Sequence, residues 1–391
     1  MRKTLGLLVL MTSFAAWAAP AITSVTAQQR YPWNGKVDIS YTVTGDIAGH
    51  ALTNGVITTL KVTATDTVAN ASYTATAAAL SGETTLTEGS HAIVWDLDQQ
   101  GVNVKSSNVV FNVSCETNAA LYCVIDLSTG AASTSYPVTY LAAEPDGGFT
   151  NNTYRTTKLV LRRINAGSFI MGDDQTDESH RVTLTKPFYM GIFEMTQKQW
   201  MLVMGSWPNS PPSSNFGLGD GYPAYYVSYN DIRGSLSGAE WPSSAAVDAS
   251  SFIGKLQART KLNFDLPTDA QWEYACRAGT TTTYYWGDSM NDDYVWYKSN
   301  SNLKTHPVGT KRPNAWGLYD MSGNLWEWCL DQNGKLSYGT DPKGSSSGTS
   351  RVDRGGSAHS IETSCSSSYR SVTIPSYSGG NCGFRLSRIL P

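Results

Sequence analysis

Charge is scarce in this chain. Asp, Glu, Lys and Arg make up 16% of 391 residues, and the net charge is −3. No basic stripe stands out, so the composition excludes a nucleic-acid partner. Histidines number five, at 50, 91, 180, 306 and 359, and no two form an H-E-x-x-H pair, which argues against a histidine-held metal enzyme. No C-x-x-C pair occurs, so no structural zinc site is expected. No glycine-rich phosphate loop ends in lysine; Gly355-Gly356-Ser357 lacks both the lysine and the helix. The G-x-S-x-G elbow of serine hydrolases is missing too. Past the N-terminus no apolar run is long enough to span a bilayer, so no transmembrane segment is expected.

What is abundant is Gly, Ser, Thr and aromatics, a balance that favours strands and loops over helical bundles. The first residues read as an export signal covering 1–18. Arg2 and Lys3 precede an apolar stretch from Leu5 to Phe14, and Ala16-Trp17-Ala18 offers the small-residue cleavage pattern. A bacterial periplasmic or secreted protein is expected, with no cysteine at the cleavage site to carry a lipid. Six cysteines follow, at 115, 123, 276, 329, 365 and 382. An oxidising compartment permits disulfides, and Cys115 and Cys123 are near enough in sequence to pair locally.

Period-2 alternation marks a small all-β domain over 19–114. Val37, Ile39, Tyr41 and Val43 form one run, Leu60, Val62 and Ala64 a second, and Val109, Phe111 and Val113 a third. Thr53-Asn54-Gly55 and Ser81-Gly82 are expected turns between strands. Size and spacing predict a sandwich of the immunoglobulin or fibronectin type. Residues 115–157 read as a bridging segment whose apolar run Tyr122–Leu127 predicts a strand docking on the next domain. Three helices are expected beyond it: one capped by Thr196 and Gln199 and ending at Gly205, one over 245–259 with Ala249, Phe252, Ile253 and Leu256 on one face, and one from Thr268 to about Gly279.

Two stretches carry candidate chemistry. Residues 314–329 hold Trp316, Trp326 and Trp328 together with Asp320, Gly323 and Glu327. A hard cation takes carboxylates and backbone carbonyls on a sharply bent loop, so a metal loop, a sugar-stacking platform and dense core packing all remain open here. The second stretch runs from Arg354-Gly355-Gly356-Ser357 through Cys365 and Arg370 to Gly383-Phe384-Arg385. Its thiol is either a reactive cysteine beside arginines, a weak catalytic candidate, or a buried group or half of a disulfide with Cys382 or Cys329.

Taken in order, the motifs resemble one family. They are Ile164-x-Ala166-Gly167-Ser168-Phe169-x-Met171-Gly172, Glu194-Met195-Thr196 with Gln199-Trp200, Leu266-Pro267-Thr268 through Arg277, the tryptophan run, Arg354-Gly-Gly-Ser357 and Gly383-Phe384-Arg385. Over roughly 158–391 the chain is similar to the formylglycine-generating enzymes, the sulfatase-modifying factors. The resemblance implies a loop-rich domain of the C-type-lectin-like kind, so that with the N-terminal all-β sandwich read from alternation the expected fold class is α+β. It implies calcium held by Asp320, Gly323, Leu325 and Glu327, with no counterpart of the family's second calcium site near 294–302. It also implies copper on two thiolates and oxidation of a substrate cysteine in a C-x-P-x-R context. Here the sequence departs. The family's catalytic positions fall near Ser360 and Glu362, and Cys365 is the one thiol between Ser357 and Arg370. Copper is therefore not expected. A non-catalytic or divergent member, binding a peptide, glycan or surface protein, is expected ahead of a cysteine oxidase.

Overall fold

The computed structural model describes residues 21–30, 34–45, 54–84, 86–102, 109–173, 179–235, 241, 245–335 and 338–390. The expected signal segment, His50 and Thr53 lie outside these. The chain divides into two compact units, 1–118 and 119–391.

The first unit is a β-sandwich. Its strands are β1 (Ala21–Gln29), β2 (Lys36–Thr44), β3 (Val56–Asp66), β4 (Ala71–Thr74), β5 (Leu80–Gly82), β6 (Gly89–Asp96) and β7 (Val109–Ala119). They form one sheet in the order β1-β2-β6-β5 and a second in the order β4-β3-β7. Alternation decides which side of each strand is inward. Val37, Ile39, Tyr41 and Val43 of β2 meet Ile93 and Trp95 of β6, Val62 and Ala64 of β3 and Val113 of β7 in one core. Ser81-Gly82 is not the expected turn. It ends β5, where Leu80, Ser81 and Gly82 pair with Trp95, Val94 and Ile93.

The second unit holds β8 (Tyr122–Asp126), β9 (Val138–Leu141), β10 (Lys158–Ile164), β11 (Gly167–Met171), β12 (His180–Leu184), β13 (Phe188–Gly191), β14 (Trp326–Gln332), β15 (Gly339–Thr340), β16 (Arg351–Arg354), β17 (Arg370–Thr373), β18 (Cys382–Gly383) and β19 (Ser387–Ile389). Three sheets result: β19-β13-β10-β8-β9, β11-β12-β15 and β17-β16-β14-β18. Strand β8 lies between β10 and β9, antiparallel to both. The segment read as a bridge is thus built into the main sheet of the second unit. A continuous apolar run suits a strand covered on both faces, and Tyr122, Cys123, Val124 and Ile125 are all buried.

Among the described residues, four helices of five or more residues are α1 (Gln197–Met204), α2 (Tyr229–Arg233), α3 (Phe252–Thr260) and α4 (Asp269–Arg277). In α1 and α4 the expected capping boxes form, Thr196 with Gln199 and Thr268 with Gln271. Helix α3 begins later than expected. Ser251 caps it, and Asp248 accepts from the backbone and hydroxyl of Ser250, so 245–250 turns instead and Ala249 is exposed. Helix α2 was missed because its capping box closes with Asp231 rather than Glu or Gln. Helices α1 and α3 pack through Trp200, whose ring stacks on Phe252 at 5.2 Å and meets Phe384 edge-on.

Thr268→Ala removes an N-cap whose hydroxyl accepts from the Gln271 amide. It should cost the second unit about 1 kcal/mol, read as a lower denaturation midpoint with the first unit's transition unchanged.

Candidate functional site

The tryptophan run is a loop that bends sharply before β14. Asp320, Gly323 and Asn324 all have positive φ, at 55°, 77° and 59°. Gly323 admits no side chain, since a Cβ there would lie 2.1 Å from the Trp296 carbonyl oxygen. Asn314 closes the entry. Its amide donates to the carbonyls of Ala275 and Cys276, and its oxygen accepts from the amides of Trp316 and Leu318. Trp328 is fully buried, Trp316 packs edge-on against Tyr274, and Trp326 stays half-exposed.

Behind the loop lies a set of buried charges. The Glu327 carboxylate accepts from the Trp272 indole at 2.7 Å and from Arg385 through both oxygens, at 2.6 and 2.5 Å. Glu194 accepts from the Asn324 side chain and the Leu325 amide. Asp320 accepts from the Gly309 amide at 2.6 Å. Burial pushes the Asp320 carboxyl up to about 6, and burial, then Asp320 and Glu327, push Glu194 well above its usual range.

A second set adjoins it. On α4, Asp269 pairs with Arg354 at 2.5 Å and with Arg370 at 2.7 Å. Glu273 pairs with Arg354 and Arg277, both at 2.9 Å. Asp331 accepts from the Asp269 amide, and burial raises its carboxyl to about 7. The helix motif, the tryptophan run, Arg354 and the Gly-Phe-Arg ending therefore meet in one buried network.

This bears on the calcium expectation at Asp320, Gly323, Leu325 and Glu327. Both Glu327 oxygens face a guanidinium, and a cation bound there would sit against a like charge. Among the described residues no three His, Cys, Asp or Glu side chains come together as a cation cage. The residues present do not fit the ion at Glu327.

The copper expectation is answered by the segment after β16. Gly355 and Gly356 turn the chain at φ 91° and 77°, and Gly356 leaves room for the Cys365 sulfur. Cys365 is fully buried beside Tyr284, Val295 and Tyr297. Burial pushes its thiol up to about 12, which disfavours the thiolate at neutral pH. Ser360 carries a hydroxyl that accepts from the Ser357 amide, and Glu362 is exposed. One sealed thiol does not make a two-thiolate site. All six cysteines are free, so neither Cys115–Cys123 nor a Cys365 disulfide forms.

From Ala358 to Asn381 the segment is tied down by its backbone. The carbonyls of Ala358, Ser360, Cys365, Pro375, Gly379 and Asn381 accept from Ser301, Lys298, Ser322, Asn230, Tyr226 and Trp326. Its side chains point outward at Ile361, Tyr369, Val372, Ile374 and Tyr377, each at least 40% exposed. Sequence reasoning passed over this surface, because it carries no ionisable motif.

Comparison with known proteins now has a structure to stand on. Residues 149–390 match the family described as the sulfatase-modifying factor enzyme 1-like domain. The chain belongs to this family. It is 28% identical over 274 residues to the formylglycine-generating enzyme of Streptomyces coelicolor, covering 57% of this chain and 87% of that protein. It is 29% identical over 272 residues to the chaperone protein LppX of Paenibacillus barcinonensis, covering 61% and 91%. In structure it is similar to Treponema denticola variable protein 1, with a TM-score of 0.50 at 26% identity over 60% of this chain and 96% of that one. The family motifs are the residues of the buried network, which explains why family membership and fold are read together.

Two outcomes test the network. Glu327→Gln should lower the melting temperature equally in calcium and in chelator, because the lost partner is Arg385; a loss confined to calcium would restore the ligand role. Asp320, Asp331 and Asp353 all have raised carboxyls, at about 6, 7 and 6. The folded state therefore binds more protons than the unfolded one between about pH 4 and 7, and stability contributed by protonation is lost as pH rises through that window. Denaturation midpoints of the second unit should fall from pH 5 to pH 8.

Proposed function

We propose that this protein is a divergent family member that does not oxidise cysteine and instead serves, outside the bacterial inner membrane, as a binding protein for a peptide, glycan or surface partner. One observation carries the reading. The segment that would need two thiolates has a single cysteine, Cys365, and that thiol is buried and hard to ionise. The outward apolar side chains of the same segment favour a surface that meets something, since scattered exposed residues are ordinary but a run of them on one segment is not. A relative that carries a chaperone's name, matched over 91% of its own length, fits a domain put to uses besides oxidation. In the same reading the tryptophan loop needs no calcium, because Arg385 supplies the positive charge that Glu327 faces.

The rival reading, a formylglycine-generating oxidoreductase, draws on the span of the match to the Streptomyces enzyme. The two separate in one assay. Full-length protein loaded with Cu(I) and incubated in air with a C-x-P-x-R peptide should leave the peptide mass unchanged; conversion of its cysteine to formylglycine would overturn the proposal. Iodoacetamide should label Cys365 only under denaturing conditions, and rapid native labelling would return that thiol to the catalytic candidates.

A further inference from the structure

Beside the ends of β12 and β19 and the start of α4, the second unit has a cavity of about 310 Å³ that none of the residues between Ala358 and Asn381 lines. Leu184, Trp241, Pro342 and Ile389 give it an apolar interior. Ile389 is 46% exposed, although its neighbours Arg388 and Leu390 are buried. Trp241 is almost fully buried and is fixed twice. Its Nε1 donates to the Lys343 carbonyl at 3.0 Å, and its own carbonyl accepts from Arg351. The indole wall is thus preformed, which spares a ligand the cost of ordering it.

The polar groups around the cavity divide into those already used and those left over. Thr268 and Gln271 satisfy each other in the capping box of α4. Asp341 lies in the left-handed region at φ 45°, and both its carboxylate oxygens accept from Thr185, one from the amide at 2.9 Å and the other from the hydroxyl. Its amide donates to the Thr183 carbonyl. A residue other than glycine is held there at a cost, and such strain gathers at ligand clamps. Here the turn delivers Lys343, whose ammonium lies 5.8 Å from the centre of the Trp241 ring. Lys186, two residues past β12, lines the same cavity. Both lysines are exposed, and among the described residues neither is within ion-pair distance of a carboxylate.

An apolar interior edged by unmatched positive charge has a definite complement. A neutral hydrophobic molecule would fill the interior and leave both ammoniums to water. A small anion such as acetate would meet the lysines and leave the indole wall wet. A cation would be repelled. A carboxylate carried on a compact ring system uses both parts: its body removes apolar wall from water, and its oxygens take charge-assisted hydrogen bonds. Mostly apolar walls with a few placed polar groups are the usual make-up of a small-molecule site.

We propose that this cavity binds a small hydrophobic carboxylate, its apolar body packed on Leu184, Trp241, Pro342 and Ile389 and its carboxylate accepting from Lys186 and Lys343. The site is separate from the exposed segment that supports the binding-protein reading, and it adds a small-molecule ligand to that reading.

The test is a ligand-observed NMR titration of the full chain at neutral pH with four probes: naphthalene-2-carboxylate, 2-naphthalenemethanol, 2-naphthylmethylammonium and acetate. The naphthoate should bind, the alcohol about tenfold more weakly, and the other two not detectably. Lys186→Met and Lys343→Met should each weaken the naphthoate about threefold, the size of a solvent-exposed ion pair, and leave the alcohol unchanged. Ile389→Asp should weaken both. These three side chains are exposed, so each variant should melt at the parent temperature. Lys186→Glu combined with Lys343→Glu should reverse the preference, so that the ammonium binds and the naphthoate does not, a gain that misfolding cannot produce. The proposal is overturned by a naphthoate that does not bind, by an alcohol that binds as tightly, by lysine and isoleucine variants that bind like the parent, or by a charge-reversed protein that keeps the parent's preference. Each of these leaves the non-oxidase reading standing, since that reading falls only to formylglycine formation.

Discussion

The second unit depends on one contact. Arg385 lies within the core and holds both oxygens of Glu327, and the Trp272 indole donates to the same carboxylate. These residues come from the chain's last segment, from β14 and from α4, so the contact closes a unit that has few long elements to hold it. Removing one partner would leave the other charged and buried, at a cost of about 3–5 kcal/mol. Backbone accounting points the same way. In a loop-rich unit the carbonyls need side-chain donors, and Arg385 also donates to the carbonyls of Gly191 and Tyr319.

Much of this was legible in the sequence, and the reason is that the motifs are the contacts. The capping boxes at Thr196 and Thr268 and the alternation of Val37 to Val43 are local signals, and all appear as read. Family resemblance carried the rest of the fold, since Trp272, Glu327, Arg354 and Arg385 are the residues by which the resemblance is recognised. The misreadings were of non-local origin. What the sequence does not show at Glu327, a carboxylate on a bent loop, is the guanidinium that arrives 58 residues later. The start of α3 slipped because Asp248 offers the backbone a turn before Ser251 offers it a cap.

The cysteines follow the same logic. Six thiols invite a disulfide reading wherever export is expected, yet all are free and five of them are buried. The buried ones serve as small apolar side chains in strands, helix α4 and the turn under Gly356. Burial above all holds the thiols of Cys123, Cys276 and Cys365 above the usual range, with Glu273 and Glu362 adding to it at Cys276 and Cys365.

One feature has a wider reach than the site it belongs to. Between Ala358 and Asn381 the protein grips the main chain, through carbonyls bonded to Ser301, Lys298, Asn230, Tyr226 and Trp326. A segment fastened by its peptide groups makes few demands on what its outward side chains are. The scaffold can therefore accept many different residues at positions such as 361, 369, 372, 374 and 377 without refolding, so the chemistry of this surface can change while the folding sequence stays fixed.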